Sequence, residues 1–280
     1  MEANWNDWIG RSETRTDRVT ATPIAALAAT LDRDDVPPAD GDPLPPLWHW
    51  LYFLPLYRQS DVGPDGHARR GGFLPPIPLP RRMWAGSRFT FAAPLRVGDA
   101  ITRESRIVDI RAKEGRSGAL VFVVVRHQVA NARGVAIVEE HDIVYRGAPQ
   151  PGERASDAPR APTDATWSRE IHPDPVLLFR YSALTFNGHR IHYDRTYVTE
   201  TEGYPGLVVH GPLIATLLVD LLRRHRPDAR LAAFAFRAAS ALYDIASFSV
   251  HGRAIDERSV RLWAASAAGA LAMDATATLA

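Results

Sequence analysis

The densest group of side chains able to carry out chemistry lies in residues 181–194. Within eight residues it contains Asn187, His189, Arg190, His192 and Asp194. Imidazole exchanges protons near neutral pH, and an amide both donates and accepts hydrogen bonds. A polar loop whose side chains satisfy turn backbone groups has the same composition, so this stretch alone leaves both interpretations open.

A second feature favours chemistry. His210 follows His192 by eighteen residues and is followed by Gly211 and Pro212 at the start of an apolar helical pattern. The first N–H groups of a helix have no partner within the helix and carry partial positive charge, and glycine lets a ligand approach closely. Imidazole plus such a donor suits hydration of an α,β-unsaturated thioester, in which a base activates water and an N–H stabilises the enolate oxygen.

This reaction needs no metal or redox cofactor, and we expect none. His189 and His192 are three residues apart, as in some metal pairs, but no acidic residue or third histidine is placed nearby in sequence to complete a site. The chain has no cysteine and one lysine, Lys113, which excludes disulfides, thiolate nucleophiles and most lysine chemistry. The motifs GxGxxG, GxxxxGK[ST] and GxSxG are absent.

Composition excludes further classes of function. The 33 basic and 32 acidic residues give a net charge of +1, so nucleic acid is not an expected partner. The amino terminus lacks the pattern of a secretory signal, and no apolar run approaches the roughly 18 residues of a membrane helix. We therefore expect a cytoplasmic protein without membrane contact.

The elements that must position these residues fall into two halves. The Pro-rich stretch 148–164 is predicted to link domains 1–147 and 165–280, each near the usual domain size. The first half is predicted to have a helix over 23–32, a long loop over 37–84 and a four-stranded antiparallel meander. The second half repeats strand, helix and strands, and its helix after Gly211 has six leucine and isoleucine residues on one face.

The two halves also resemble each other. Residues 91–99 aligned with 236–244 are identical or closely similar at four of nine positions. A buried helix followed by a curved antiparallel sheet, twice over, is the pattern of an α+β double hot dog, in which each sheet wraps around a central helix.

The stretch 180–212 resembles the hydratase-2 signature of MaoC-like hot dog dehydratases. The segments 48–53, 71–76 and 80–86 extend this similarity to the type-2 hydroxyacyl-thioester dehydratases, nearest the branch of mesaconyl-C4-CoA and itaconyl-CoA hydratases. The resemblance implies that His192 is the catalytic histidine and that Gly211 supplies the oxyanion donor. Asn187 stands where the family pattern has aspartate, and His189 and Arg190 replace the usual Asn-Pro.

Asparagine cannot act as a base, so we assign the proton transfers to His192 and expect Asn187 to orient water or the imidazole. Asp194 either fixes the imidazole tautomer or is structural. The N-terminal domain lacks equivalents of Asn187 and His192, so one active site is expected, with the N-terminal domain shaping its pocket. The candidate substrate-binding residues are Arg82, Trp84, Arg190, Tyr193 and His210.

The expected reaction is reversible hydration of a C5 dicarboxylic acyl-CoA to citramalyl-CoA. An (R)-3-hydroxyacyl-thioester dehydratase, an acyl-CoA thioesterase and a non-catalytic acyl-CoA binding module are the alternatives. Acyl-CoA is the expected partner, and a homodimer is compatible with the sequence. A dicarboxylic substrate requires a cation in the pocket, whereas a fatty acyl chain requires an apolar tunnel, so the positions of Arg82 and Arg190 distinguish the two.

Overall fold

The computed structural model describes residues 5–115, 118–147 and 158–280. It contains one ten-stranded antiparallel sheet in the order β1-β3-β4-β5-β2-β7-β10-β9-β8-β6. The strands are β1 Ser12–Arg18, β2 Arg81–Phe91, β3 Ala100–Gly115, β4 Gly118–Asn131, β5 Gly134–Arg146, β6 Trp167–Ile171, β7 Leu231–Ala238, β8 Phe248–Ala254, β9 Ser259–Ser266 and β10 Leu271–Leu279. The helices are α1 Ala21–Thr30, α2 Pro175–Leu184 and α3 Gly211–His225.

Two halves with the same strand order meet between β2 and β7. Each half runs outward from this central pair in the same way, as β2-β5-β4-β3-β1 and β7-β10-β9-β8-β6. At the junction Arg88 pairs with Ala235 and Phe89 with Phe234. The α+β double hot dog prediction is confirmed. Residues 148–157 of the predicted linker lie outside the described residues, so the domain boundaries remain a prediction.

The helix α3 is the central helix of the C-terminal half. It begins at Gly211 as the sequence predicts, and ten of its 15 residues are buried. It packs on β6, β8, β9 and β10, all strands of its own half. Burial of leucine and isoleucine side chains against the concave sheet stabilises this position by about 1.5–3 kcal/mol per side chain. No helix in the described part of the chain is long and apolar enough to cross a membrane.

The N-terminal half differs from the prediction of a central helix in each sheet. Its helix α1 starts at Ala21 rather than residue 23, is ten residues long, and packs against α2 and the helical turn Trp48–Leu51. Among its described residues no helix corresponds to α3. The segment between α1 and β2 is rich in proline and aromatic residues, which disfavours a long helix. In its place the buried Trp48, Leu51 and Phe53 join the core.

A polar cluster is also buried in the N-terminal half. Glu139 is 4% exposed and accepts hydrogen bonds from Trp50 Nε1 (3.3 Å) and Ser87 Oγ (3.1 Å), with His49 Nε2 at 3.4 Å. Burial alone would raise the pKa of Glu139, but the hydrogen bond to His49 and nearby histidines lower it to about 2. This half therefore holds a buried carboxylate.

The two halves are also joined by a buried ion cluster. Asp220 of α3 is 1% exposed. It binds Arg33 Nη1 (2.6 Å) from the N-terminal half, Arg169 Nη1 (3.0 Å) from β6 and Arg224 Nε (2.7 Å) one helical turn further on. Because Arg33 precedes the predicted linker and Asp220 follows it, this cluster ties α3 to the N-terminal half.

Candidate active site

The loop between α2 and α3 is held in shape by its own polar groups. Asn187 Oδ1 accepts a hydrogen bond from the His189 backbone N–H at 3.0 Å, a local turn typical of asparagine. The Tyr193 hydroxyl donates to the Gly188 carbonyl at 2.9 Å, and the Tyr193 side chain is 46% exposed. Asn187 and Tyr193, both candidates from the sequence, thus fix the loop that carries His189 and His192.

His192 lies in a short helical turn, Arg190–His192, and is 7% exposed. Its Nδ1 lies 2.7 Å from the Val208 carbonyl oxygen, and since a carbonyl only accepts, Nδ1 carries the proton. Nε2 is then left with a lone pair. Burial lowers the pKa of His192 to about 4 despite the hydrogen bond to Val208. At neutral pH His192 is a neutral imidazole able to accept a proton at Nε2.

His210 lies directly against this imidazole. The two rings are nearly parallel, with centroids 3.6 Å apart. His210 is 1% exposed, its Nε2 lies 2.8 Å from Ser182 Oγ, and burial lowers its pKa well below the usual value. The His210 ring is buried and packs against His192 from one side, and its predicted role in substrate binding stays a prediction.

Gly211 is the first residue of α3 and immediately follows His210. A Cβ placed on Gly211 would meet no heavy atom within 4 Å. The space next to its backbone is therefore open, and the N–H groups of the first helical turn have no partner within the helix. This arrangement places the positive end of the α3 dipole beside His192.

Arg190 is occupied by contacts within the protein. Its Nε and Nη2 donate to Asp194 Oδ2 at 2.9 and 2.7 Å, its Nη1 donates to the Pro64 carbonyl at 3.0 Å, and it stacks on Tyr197. This differs from the expected substrate contact, since the nitrogens that would bind a carboxylate already bind Asp194 and Pro64. Asp194 also accepts from the Tyr197 N–H, which fits the structural alternative.

The N-terminal half contributes residues that the sequence analysis missed. His67 packs against His189 with ring centroids 4.0 Å apart, and His189 lies 5.5 Å from His192. Asp65 accepts hydrogen bonds from the backbone N–H of His67 at 3.0 Å and from its ring Nδ1 at 3.2 Å. The site is therefore built from both halves of the chain. The only local signal was an Asp-Gly-His sequence in a turn-rich loop.

Arg82 and Trp84 both lie on β2. Burial lowers the pKa of both His67 and His189, and the positive charge of Arg82 lowers it further. Trp84 packs on His141 with ring centroids 4.1 Å apart, and its Nε1 donates to the Gly86 carbonyl and Ser87 Oγ, each at 2.9 Å. Arg82 thus lies near His67 and His189, whereas the contacts of Trp84, a predicted substrate-binding residue, are to His141 and Ser87 of the N-terminal half.

Three metal-ligating groups also meet here. The ligand atoms of Asp65, His67 and His189 lie within 4.8 Å of one another, a set that sequence spacing did not reveal. Asp65 is already hydrogen-bonded to His67, however, and the charge of Arg82 acts on both imidazoles. A metal cation would have to break the hydrogen bond between Asp65 and His67 and overcome electrostatic repulsion from Arg82. We assign no metal to this cluster.

The fold and site define a class of protein. Residues 47–244 match the family model of hydroxyacyl-thioester dehydratase type 2, and the chain belongs to this family. It is 49% identical to the mesaconyl-C(4)-CoA hydratase of Chloroflexus aurantiacus, over 99% of this chain and 98% of that protein.

Solved structures agree with the fold. HtdX of Mycobacterium tuberculosis superposes with a TM-score of 0.64 at 20% identity, covering 95% of this chain and 99% of that one. A second M. tuberculosis protein, which has a double hotdog fold, superposes with a TM-score of 0.58 at 13% identity, covering 97% and 96%. At these identities the likeness concerns the fold.

Proposed function

We propose that this protein catalyses the reversible addition of water to an α,β-unsaturated acyl-CoA thioester. One observation carries the proposal: the neutral imidazole of His192 stacks on His210, the residue immediately before the open N-terminus of α3 at Gly211. Membership of a thioester dehydratase family and 49% identity to a mesaconyl-C(4)-CoA hydratase support it.

The site accounts for each step of the addition. His192 Nε2 takes a proton from water as the water oxygen bonds to the β-carbon, and the π electrons of the C=C bond move to the thioester oxygen. The Gly211 N–H and the α3 dipole stabilise the negative charge on this oxygen. The enolate then collapses, and the imidazolium returns its proton to the α-carbon. One water is added, and His192 is neutral again.

We further propose a C5 dicarboxylic acyl group, as the name of the C. aurantiacus relative indicates. In a mesaconyl-C4 thioester the free carboxylate is attached to the carbon that water attacks, so the cation that binds it must lie next to the catalytic imidazole. Arg82 fits this requirement, because its charge acts on His67 and His189. Arg190 fits it poorly, because Asp194 and Pro64 occupy its guanidinium.

The test compares thioesters that differ in this carboxylate. Mesaconyl-C4-CoA, itaconyl-CoA and crotonyl-CoA are incubated with the enzyme, and a gain of one water is followed by mass spectrometry. We expect mesaconyl-C4-CoA to be hydrated with a higher kcat/KM than crotonyl-CoA. The C=C bond of itaconyl-CoA is not conjugated with the thioester carbonyl, so its hydration by this mechanism would first require the double bond to shift. Preference for crotonyl-CoA would favour a fatty acyl dehydratase, and hydrolysis to free CoA would favour a thioesterase.

Two variants test the named residues. Arg82→Met should lower kcat/KM for the dicarboxylic thioester about 30-fold or more, as expected for about 2 kcal/mol lost from one charge-assisted contact, and should affect crotonyl-CoA little. Arg88→Met is the matched control, because Arg88 lies on the exposed face of the same strand and binds Glu140 and Asp142. His192→Ala should lower kcat by about 10²–10⁴ for every substrate.

Three expectations from the sequence stay predictions. The proposed reaction uses no metal or cofactor, and chelator treatment should leave its rate unchanged. The substrate is intracellular, which suits the expected cytoplasmic location. Light scattering of the full chain would test the homodimer.

A further inference from the structure

The proposed hydration leaves one role unfilled. An attacking water has two hydrogens, and only one of them goes to His192. A second acceptor must hold the other hydrogen, so that a lone pair of the water oxygen points at the β-carbon of the thioester. In the family pattern an aspartate stands at position 187, but here Asn187 uses its Oδ1 to bind the His189 N–H. One lone pair of this oxygen is therefore engaged in the turn, and the amide nitrogen can only donate.

The N-terminal half brings another acceptor to the site on a rigid hairpin, residues 59–69. Within it Gly63 N–H donates to the His67 carbonyl at 2.7 Å and Arg69 N–H donates to the Asp61 carbonyl at 2.9 Å. Val62 and Ala68 form a β-bridge across its base. These bonds hold His67 in a defined place, although no long helix or strand contains it.

This hairpin is docked directly onto the catalytic loop. The Arg190 backbone N–H donates to the Asp65 carbonyl at 2.9 Å, and the Arg190 side chain donates to Pro64. A Cβ on Gly66 would lie 1.9 Å from the Gly188 carbonyl oxygen, so the two backbones touch in a way that only glycine permits. Arg190 is therefore a positioning residue that clamps the hairpin next to His189 and His192.

The carboxylate of Asp65 sets the state of the His67 ring. Burial would raise the pKa of Asp65, but its hydrogen bonds with His67 keep the pKa low, so Asp65 is ionised and can only accept. His67 Nδ1 must then carry the proton, and Nε2 has a free lone pair. Burial and the charge of Arg82 lower the pKa of His67, which keeps the ring neutral.

We propose that His67, oriented by Asp65, is the second acceptor for the attacking water in this site. The inference rests on the proposed hydration. The water donates one hydrogen to His192 Nε2, which takes the proton, and the other to His67 Nε2, which keeps it as a hydrogen bond. No proton moves to His67, and the balance of the reaction is unchanged. The residue that replaces the aspartate of the family pattern thus comes from the other half of the chain.

Replacing His67 with glutamine distinguishes the role of hydrogen-bond acceptor from proton transfer and from a purely structural role. Its amide oxygen can reach the place of imidazole Nε2 and accept a hydrogen bond, but it cannot take a proton at neutral pH. We expect His67→Ala to lower kcat by about 10²-fold with KM within a few-fold of wild type, and His67→Gln to recover activity to within about 10-fold of wild type. His225→Gln, at the far end of α3, is the matched control and should behave as wild type.

Each outcome decides the proposal. Wild-type hydration is measured first, so failure of the proposed function is seen separately as an inactive wild type. If His67→Ala matches an active wild type, His67 is not an acceptor. If His67→Gln is as slow as His67→Ala although circular dichroism shows both folded, His67 transfers a proton instead. If His189→Ala causes the loss and His189→Gln restores it, the second acceptor is His189. If EDTA abolishes activity and Zn²⁺ restores it, the cluster holds a metal. Each of these four results would overturn the proposal.

Discussion

Acid should destabilise this protein steeply between about pH 6.5 and 5. Burial lowers the pKa of seven histidines, and in five of them the shift is large: His127 to about 3, His141 to about 4, His189 to about 2, His192 to about 4, and His210 well below its usual value. In the unfolded chain each titrates near 6.5. Below that pH the unfolded state binds protons that the folded state does not, so stability falls as pH falls.

The size of the effect follows from this difference. Between pH 6.5 and 5 each neutral buried histidine loses about 2 kcal/mol of stabilisation, since one pH unit per proton corresponds to about 1.4 kcal/mol. Five such groups give an upper limit of about 10 kcal/mol, which is comparable to the whole stability of a typical protein. Buried carboxylates such as Glu139 have lowered pKa values and contribute only at more acidic pH.

Urea unfolding followed by tryptophan fluorescence at half-unit steps from pH 8 to 5 measures this loss. His141→Phe should reduce the loss between pH 6.5 and 5 by about 2 kcal/mol, because it removes one such group. His172→Gln is the control, since His172 is exposed. A loss below about 4 kcal/mol in the wild type, or an unchanged loss in His141→Phe, would refute the argument that these histidines stay neutral in the folded state.

Four further outcomes are expected. Gly211→Val should fold normally, because its Cβ meets open space, but should lower turnover by about 10²–10³; unchanged turnover would place the oxyanion donor elsewhere. Asp220→Asn should lower the free energy of unfolding, measured in urea, by about 3–5 kcal/mol, because three arginines lose their buried carboxylate partner. A decrease below about 1 kcal/mol would contradict this expectation. Asn187→Asp should keep the turn at His189 and, through its negative charge, raise the pKa of His192, so the acid limb of kcat/KM against pH should move upward. An unshifted limb would show that a charge at position 187 does not act on His192. Residues 165–280 expressed alone should aggregate or self-associate, and an active monomer would contradict the contribution of the N-terminal half.

The parts of the fold that local signals specify were predictable. α3 combines Gly-Pro at its start with leucine and isoleucine at helical spacing, and its presence and approximate start were predicted. The strands of both halves follow from β-rich runs between glycine turns. The absence of a central helix in the N-terminal half was not predictable, because Thr22 and Pro23 mark a helix start but do not show which sheet the helix enters.

Some residues of the candidate site were likewise predictable from the sequence, and others were not. His192 and Gly211 were identifiable because they lie close to each other in sequence, and the role of Arg190 was readable in principle from an acid, Asp194, four residues later. Asp65 and His67 could not be found, because they precede His189 by more than 120 residues. Tertiary contacts bring them to it: the backbone contact between Gly66 and Gly188, and the hydrogen bonds of Arg190 to Asp65 and Pro64.

The missing central helix of the N-terminal half also has a consequence for stoichiometry. A duplicated fold offers two equivalent positions for a helix N-terminus beside a histidine loop, but only the position at α3 is built in the described chain. The other half instead supplies a hairpin to that same position. We therefore expect one composite site rather than two, and calorimetric titration with a substrate analogue should give one molecule bound per polypeptide.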